Sequence, residues 1–247
     1  MKIHPTHFTQ LEMPWRNPMR KYHNFDKFYS ELLEDVYAQP EDKGHTKLGK
    51  QAIDQLMPHV DGVETVLDVG SGEGFLEDAF EDLGMQYFGV ALGEDVEVAQ
   101  DKNRMVDVDD FNFLPHPDES VDLIFARHAL EHSPFPIITL MEWHRVSKKW
   151  LCLIAPDIEH YGEVGRNHYS MANARQLRWW LRRAGWKVIV RYKEDNELRY
   201  VCKKLPRISC EGWADSPIGH DIYALERDED NPIAPLDILE DFKNRKG

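Results

Sequence analysis

The chain has 247 residues, with 44 Asp and Glu against 30 Lys and Arg, a formal net charge of -14. That excess opposes a broad grip on nucleic acid, which rests on neutralising phosphates with Lys and Arg, and opposes an anionic membrane surface equally; a small or neutral substrate is the easier partner. The length suits one domain with appendages. No long apolar run is present and Met1-Lys2-Ile3-His4-Pro5 lacks the apolar core of a signal peptide, so a soluble, cytoplasmic protein is expected.

Residues 1–44 are polar and rich in aromatics, and Phe25, Phe28, Tyr29, Leu32, Leu33 and Val36 predict an amphipathic helix before a break at Pro40 and Gly44, an arm or cap. Leu48, Ala52, Ile53, Leu56 and Met57 form a second helical stripe. From there strands and helices alternate, which argues for a doubly wound α/β fold with helices on both faces of a parallel sheet. Strands are predicted at Thr65 to Val69, Tyr87 to Ala91, Arg104 to Val108, Val121 to Ala126, Trp150 to Ala155 and Trp186 to Tyr192, with Leu198 to Lys203 as an antiparallel seventh. Helices are predicted near 75–83, 95–102, 136–146 and 173–184, the last opened by Asn173 with Gln176 and closed by Gly185. Residues 45–205 are read as the main domain and 206–247 as an acidic tail or lid, with a short helix from Leu236 to Phe242. The three cysteines, Cys152, Cys202 and Cys210, show no paired spacing, so neither a disulfide framework nor a cysteine zinc site is indicated.

The most informative stretch is Val66-Leu67-Asp68-Val69-Gly70-Ser71-Gly72-Glu73-Gly74. An apolar strand runs into an acid and three alternating glycines, and a helical pattern follows, so that a ligand can approach bare backbone at a helix N-terminus. A dinucleotide fingerprint needs Gly-x-Gly-x-x-Gly; here the third glycine comes one residue early, which weakens an NAD reading. Acid-x-Gly-x-Gly-x-Gly instead resembles motif I of the class I S-adenosylmethionine (SAM) dependent methyltransferases, whose fold is Rossmann-like.

Further blocks resemble that family in the same order. Gly89-Val90 matches its Gly-Val-acid, Leu114 to Asp122 its loop and fourth strand, His128-Ala129-Leu130-Glu131-His132 its Leu-Glu-His segment, and Asn167 to Trp186 its last helix. The resemblance implies SAM as cofactor and a small-molecule acceptor. It implies Asp68, Gly70, Ser71, Gly72 and Gly74 around the methionine part, and Asp109, Asp110 and Phe111 around the adenine. Arg127, closing the fourth strand, is assigned to the same cofactor side. Where the family carries its ribose-binding acid the chain has Ala91, whose methyl accepts no hydrogen bond; Glu94 or Asp95 is the expected substitute.

Methyl transfer needs an in-line nucleophile held close, and a base if the acceptor carries a proton. His128, Glu131 and His132, at i, i+3 and i+4, are expected on one face of a helix after the fourth strand, with His128 as the candidate base. The resemblance also implies a candidate divalent-metal site here, since a Glu-x-x-Glu-His segment in this place is a metal site in some relatives and His128 stands at the position of its first Glu; with His168 the set suits zinc, iron or nickel, but relatives without metal carry Leu-Glu-His too and no metal is assigned. Arg175, Arg178, Arg182 and Arg183 read as a solvated helix side, and Trp179 as packing or a wall of the acceptor pocket. The leading function is methyl transfer from SAM to an oxygen or nitrogen of a small molecule. The alternatives are a SAM or nucleoside binding module without catalysis and a metal-assisted RNA methyltransferase.

Overall fold

A computed structural model describes residues 29, 31–33, 43–161, 167–194 and 196–206. In chain order the elements are helix α1 (Lys43–Leu56), β1 (Thr65–Val69), α2 (Glu77–Glu81), β2 (Gln86–Ala91), α3 (Glu94–Asp101), β3 (Val106–Val108), β4 (Val121–Arg127), α4 (Pro136–Val146), β5 (Ser147–Pro156), α5 (Ile158–Tyr161), α6 (Ala174–Arg183), β6 (Trp186–Glu194) and β7 (Glu197–Lys204). The seven strands form one sheet in the order β3-β2-β1-β4-β5-β7-β6. β1 pairs in parallel with both β2 and β4, whereas β7 pairs antiparallel with β5 and β6.

Side chains in a strand alternate between faces, and here both faces are apolar because both are covered by helices. Val66, Leu123, Phe125, Trp150, Cys152 and Ile154 join Ala52, Ile53 and Leu56 of α1 and Phe80 of α2 in one core cluster. Their neighbours Leu67, Val69, Ile124, Ala126, Leu151 and Leu153 join Leu140 and Trp143 of α4 and Leu177 and Leu181 of α6 in the other. Cys152 and Cys202 are buried free thiols, and burial pushes both thiols up, away from ionisation.

The chain moves outward from β1 through β2 to β3, then returns to lay β4 on the other side of β1. Strand order therefore reverses between β1 and β4, and the crevice beyond their carboxyl ends is where such sheets bind ligands. Asp122 of β4 fixes the register at the opposite end of this pair. Its Oδ2 accepts from the Thr65 amide at 2.9 Å, the Thr65 hydroxyl at 2.7 Å and the Glu64 amide at 3.1 Å.

Several boundaries differ from the sequence reading. α1 begins at Lys43, so Gly44 lies in its first turn and is not a break. β3 is only three residues long, because the Arg104 amide donates to the Ala99 carbonyl of α3 at 2.9 Å and so stays out of the strand ladder. The Asn173 side chain caps α6 by accepting from the Gln176 amide at 2.9 Å. Tyr29 and residues 31–33 are helical; the rest of the arm, Cys210 and the tail helix predicted at 236–242 lie outside the described residues.

Burial works against the Asp122 charge, but hydrogen bonds from Lys148, Thr65 and Glu64 outweigh it and lower its pKa to about 2. A depressed carboxyl contributes stability above its unfolded pKa and loses it as pH falls through the folded one. Asp122→Ala is expected to cost about 2 kcal/mol at pH 7, as for hydrogen bonds to a charged group. In urea unfolding that difference should shrink as pH falls from about 4 towards 2, and a pH-independent difference would contradict the assignment.

Candidate active site

Asp68 is the fourth residue of β1, and Gly70, Gly72 and Gly74 follow at φ 73°, 56° and 73°. These left-handed conformations are open to glycine and strained for other residues. The turn is fastened to β2, because the Val90 carbonyl accepts from the Gly70 amide at 2.9 Å and the Ser71 amide at 3.1 Å. A Cβ on Gly70 would lie 2.8 Å from the Ala129 Cβ. At Gly72 it would meet the Phe75 ring at 3.5 Å and Asp95 Oδ2 at 3.7 Å, so the space above that glycine is open floor. Gly89 has a related task, since a Cβ there would stand 2.8 Å from the Ser71 hydroxyl.

The cavity over this turn is bounded on one side by Asp68, Gly70, Ser71, Gly72 and Phe75, then by Ala91, Leu92 and Asp95 from the end of β2. Asp110, Phe111 and Asn112 close the next side, Arg127, His128 and His132 the side after β4, and Leu32 and Leu33 contribute from the N-terminal arm. Asp68 is buried, and its Oδ2 accepts from the Tyr87 hydroxyl at 3.0 Å. Burial pushes its pKa up to about 7 against the smaller opposing effects of Tyr87 and Arg127. Asp110 Oδ1 accepts from the Asn112 amide at 2.9 Å and from its side-chain nitrogen at 2.8 Å, and Oδ2 accepts from the Tyr29 hydroxyl. Burial raises Asp109 to about 6, helped by the charges of Asp107 and Asp110.

Between β4 and α4 His128 takes φ 52° and only the single turn Leu130–His132 is helical. The expected shared helix face for His128, Glu131 and His132 is therefore corrected, and His128 instead faces β7. Its Nε2 lies 2.8 Å from Glu197 Oε1 and its Nδ1 3.4 Å from Glu131 Oε1. Burial opposes its charge, but the two carboxylates outweigh burial and raise its pKa to about 9. In that charged form the ring has no lone pair with which to receive a proton. His132 differs: its Nδ1 lies 3.0 Å from the Asn167 carbonyl, which only accepts, so Nδ1 carries the proton and Nε2 the lone pair. Burial holds its pKa below the ordinary histidine value.

Residues 67–150 match the family model for a methyltransferase domain. An uncharacterized methyltransferase of Mycobacteroides abscessus is 28% identical over 179 residues, covering 65% of this chain and 63% of that protein. Residues 67–150 thus carry a methyltransferase domain, and the chain is similar to SAM-dependent methyltransferases of class I. Among solved structures, a SAM dependent methyltransferase from Aquifex aeolicus superposes with TM-score 0.53 at 21% identity, over 67% of this chain and 100% of that one. A Haloferax volcanii protein in complex with the Trm112 methyltransferase activator gives TM-score 0.55 at 20% identity, over 66% of this chain and 95% of that one. These two likenesses establish the fold. The match covers less than two thirds of the mycobacterial relative's length.

Within the methyltransferase domain the predicted cofactor residues Asp68, Gly70, Ser71, Gly72, Asp110, Phe111 and Arg127 all line one cavity. Gly74 lies beneath it, where a Cβ would press on Val106 at 2.9 Å. Of the two acids expected to replace Ala91, Asp95 is buried at the cavity wall, whereas Glu94 is exposed and outside the lining. Asp109 is also outside the lining; its amide donates to the Ala91 carbonyl at 3.1 Å. Trp179 is exposed under the Arg183 guanidinium, away from the cavity, so it is not a pocket wall. Sequence reasoning missed Glu197, which lies in β7 beyond every motif. It accepts from Arg127 at 2.7 Å and Arg199 at 2.9 Å as well as facing His128. Those partners overcome its burial and hold its pKa down at about 2. Its only sequence signal is an acid alternating with Arg199 at the start of an otherwise apolar strand.

The raised Asp68 pKa gives a signed prediction. A carboxyl whose folded pKa is raised loses stability as pH rises from its unfolded value through the folded one. Asp68→Asn should therefore gain stability relative to the native chain between about pH 4 and pH 7, with the gain levelling off above. Urea unfolding at pH 5 and pH 8 checks this, and an equal difference at both would contradict it.

Proposed function

We propose that the protein transfers a methyl group from SAM to an oxygen or nitrogen of a small-molecule acceptor, in the cytoplasm. One observation carries the reading: the left-handed glycine turn sits at the strand-order reversal with Asp68, Asp95 and Asp110 around a single cavity. The donor set fits the cofactor, because a buried carboxylate suits its amino group, an acid at the end of β2 its ribose hydroxyls, and an acid beside Phe111 its adenine. When bound, SAM supplies an electrophilic methyl group on a positive sulfonium. The net charge of -14 supports a small acceptor over nucleic acid.

The protein's own part is positioning. Asp68 sets the methionine end, Asp95 takes the place of the missing acid at Ala91, and Asp110 is held rigid by Asn112 and Tyr29. Arg127, Glu197 and His128 make a fixed charged wall whose members satisfy one another. His132 presents its lone-pair nitrogen on the same side and is the group suited to receive an acceptor proton. Holding two reactants in line supplies a large part of the rate gain in such a transfer.

Titration calorimetry with S-adenosylhomocysteine tests the reading. The native chain should bind, Asp95→Ala should weaken binding about tenfold, equivalent to about 1.4 kcal/mol, and Gly72→Val should abolish it while the protein stays folded by circular dichroism. Incubation with SAM and small hydroxyl or amine compounds should then release S-adenosylhomocysteine. Unchanged affinity in Gly72→Val would overturn the placement, and binding without turnover would favour the non-catalytic alternative.

A further inference from the structure

We propose that Arg104 is a positioning residue for the cofactor, holding the second half of the glycine turn and the Phe75 ring in place from behind. Gly72, Phe75 and Asp95 line the cavity, whereas Arg104 is outside the described lining. The first half of the turn, Gly70 and Ser71, hangs on the Val90 carbonyl. From Gly72 to Phe75 the chain passes through two more left-handed glycines and needs a tie of its own. Arg104 supplies it. Its Nη1 donates to the Glu73 carbonyl, between those two glycines, at 2.8 Å. Its guanidinium carbon lies 5.7 Å from the centre of the Phe75 ring, within reach of a cation–π contact. Its stem fills the space that a side chain on Gly74 would need, with Cδ 3.2 Å and Cβ 3.4 Å from the place of that missing Cβ.

Arg104 is itself anchored. Its amide donates to the Ala99 carbonyl of α3 at 2.9 Å, and the next amide, that of Met105, donates to the Glu77 carboxylate of α2 at 3.2 and 3.3 Å. Lys102, two residues earlier, pairs with the Glu73 side chain. The segment between α3 and β3 therefore grips the turn from behind, while α3 turns Asp95 into the cavity in front. The link to the cofactor runs through Phe75. Its ring edge lies 3.5 Å from the place of a Gly72 Cβ, with Asp95 Oδ2 at 3.7 Å, so the ring borders the open floor that a ligand has to cover. Without the guanidinium the ring loses its outer cover and the Glu73 carbonyl its donor, and the ligand then has to order a turn freed at two glycines. Ordering a loop on binding costs affinity, and a turn held in advance avoids that cost. Arg104 thus acts through Phe75 and Glu73 and touches neither cofactor nor acceptor.

This role rests on the SAM reading of the cavity. Its test is calorimetric titration of the full chain with S-adenosylhomocysteine, beside urea unfolding of the same samples without ligand. Arg104→Met, which keeps the stem but neither the charge nor the donors, should stay folded and weaken binding about tenfold. In a Phe75→Leu background the same change should cost less than about threefold, because the ring contact it removes is already gone, and the double-mutant cycle measures that coupling. Arg104→Lys serves should the methionine form misfold; it too should weaken binding, since an ammonium cannot bond the carbonyl and lie flat on the ring together. A merely structural arginine would lower the urea midpoint and leave affinity as in the native chain. That result, or a loss of the same size with and without the Phe75 ring, would overturn the role. Absence of binding by the native chain would overturn the SAM reading and this role with it, whereas native binding that folded Arg104 variants leave unchanged strikes Arg104 alone.

Discussion

The Val90 carbonyl, accepting from both the Gly70 and Ser71 amides, is the interaction on which the site depends. It bends the chain back over the end of β2 at the moment it leaves β1, and only residues without a Cβ fit the bend at low cost. Three segments then meet with almost no side chains between them. Gly70 abuts Ala129 beyond β4, Ser71 abuts Gly89 within β2, and Gly74 abuts Val106 of β3. The result is a backbone floor over the strand-order reversal, with Asp68 sealed beneath one edge. A carboxylate placed there is poorly solvated, and that destabilised charge is an attraction for a cationic group brought in by a ligand.

The cavity has two electrostatic halves. Around the glycine turn the titratable groups are acids, Asp68, Asp95 and Asp110, each from the end of a different strand or the loop after it. Beyond β4 the charges are mixed and mutually paired, with Glu197 accepting from Arg127 and Arg199 and facing His128. Buried ion pairs of this kind contribute little net stability and are expensive to break singly. Their effect here is to fix the orientation of His128 and Arg127 while leaving His132 neutral. On the proposed function, cofactor recognition and acceptor activation fall to different chemistries on two sides of one cavity, which the arm residues Leu32 and Leu33 also line.

The sheet was legible because its information is local. Short apolar runs mark β1, β2, β4 and β5, and α4 spans the predicted 136–146. The turn at Asp68 was legible for the same reason, since acid and glycines are consecutive. What the sequence could not show is what depends on long-range pairing. The charge on His128 is favoured by Glu131 nearby and by Glu197, 69 positions away in β7, and no spacing rule joins it to the second. The choice between Glu94 and Asp95 was equally hidden, because both open α3 and only the helix's rotation against β2 turns Asp95 inward. The helix expected after β4 failed because His128 adopts a left-handed conformation, and the i, i+3, i+4 pattern carries no mark of that.

The central claim is that the carboxyl under the glycine turn receives a ligand's cationic amino group. Its most direct measurement is proton release on binding S-adenosylhomocysteine, obtained by calorimetry at pH 7 in two buffers of different ionisation enthalpy. With Asp68 at about pKa 7 in the free protein, binding should release about half a proton per site, and the release should vanish in Asp68→Asn. Binding heats independent of buffer in the native chain, or the same release in the asparagine variant, would contradict the account.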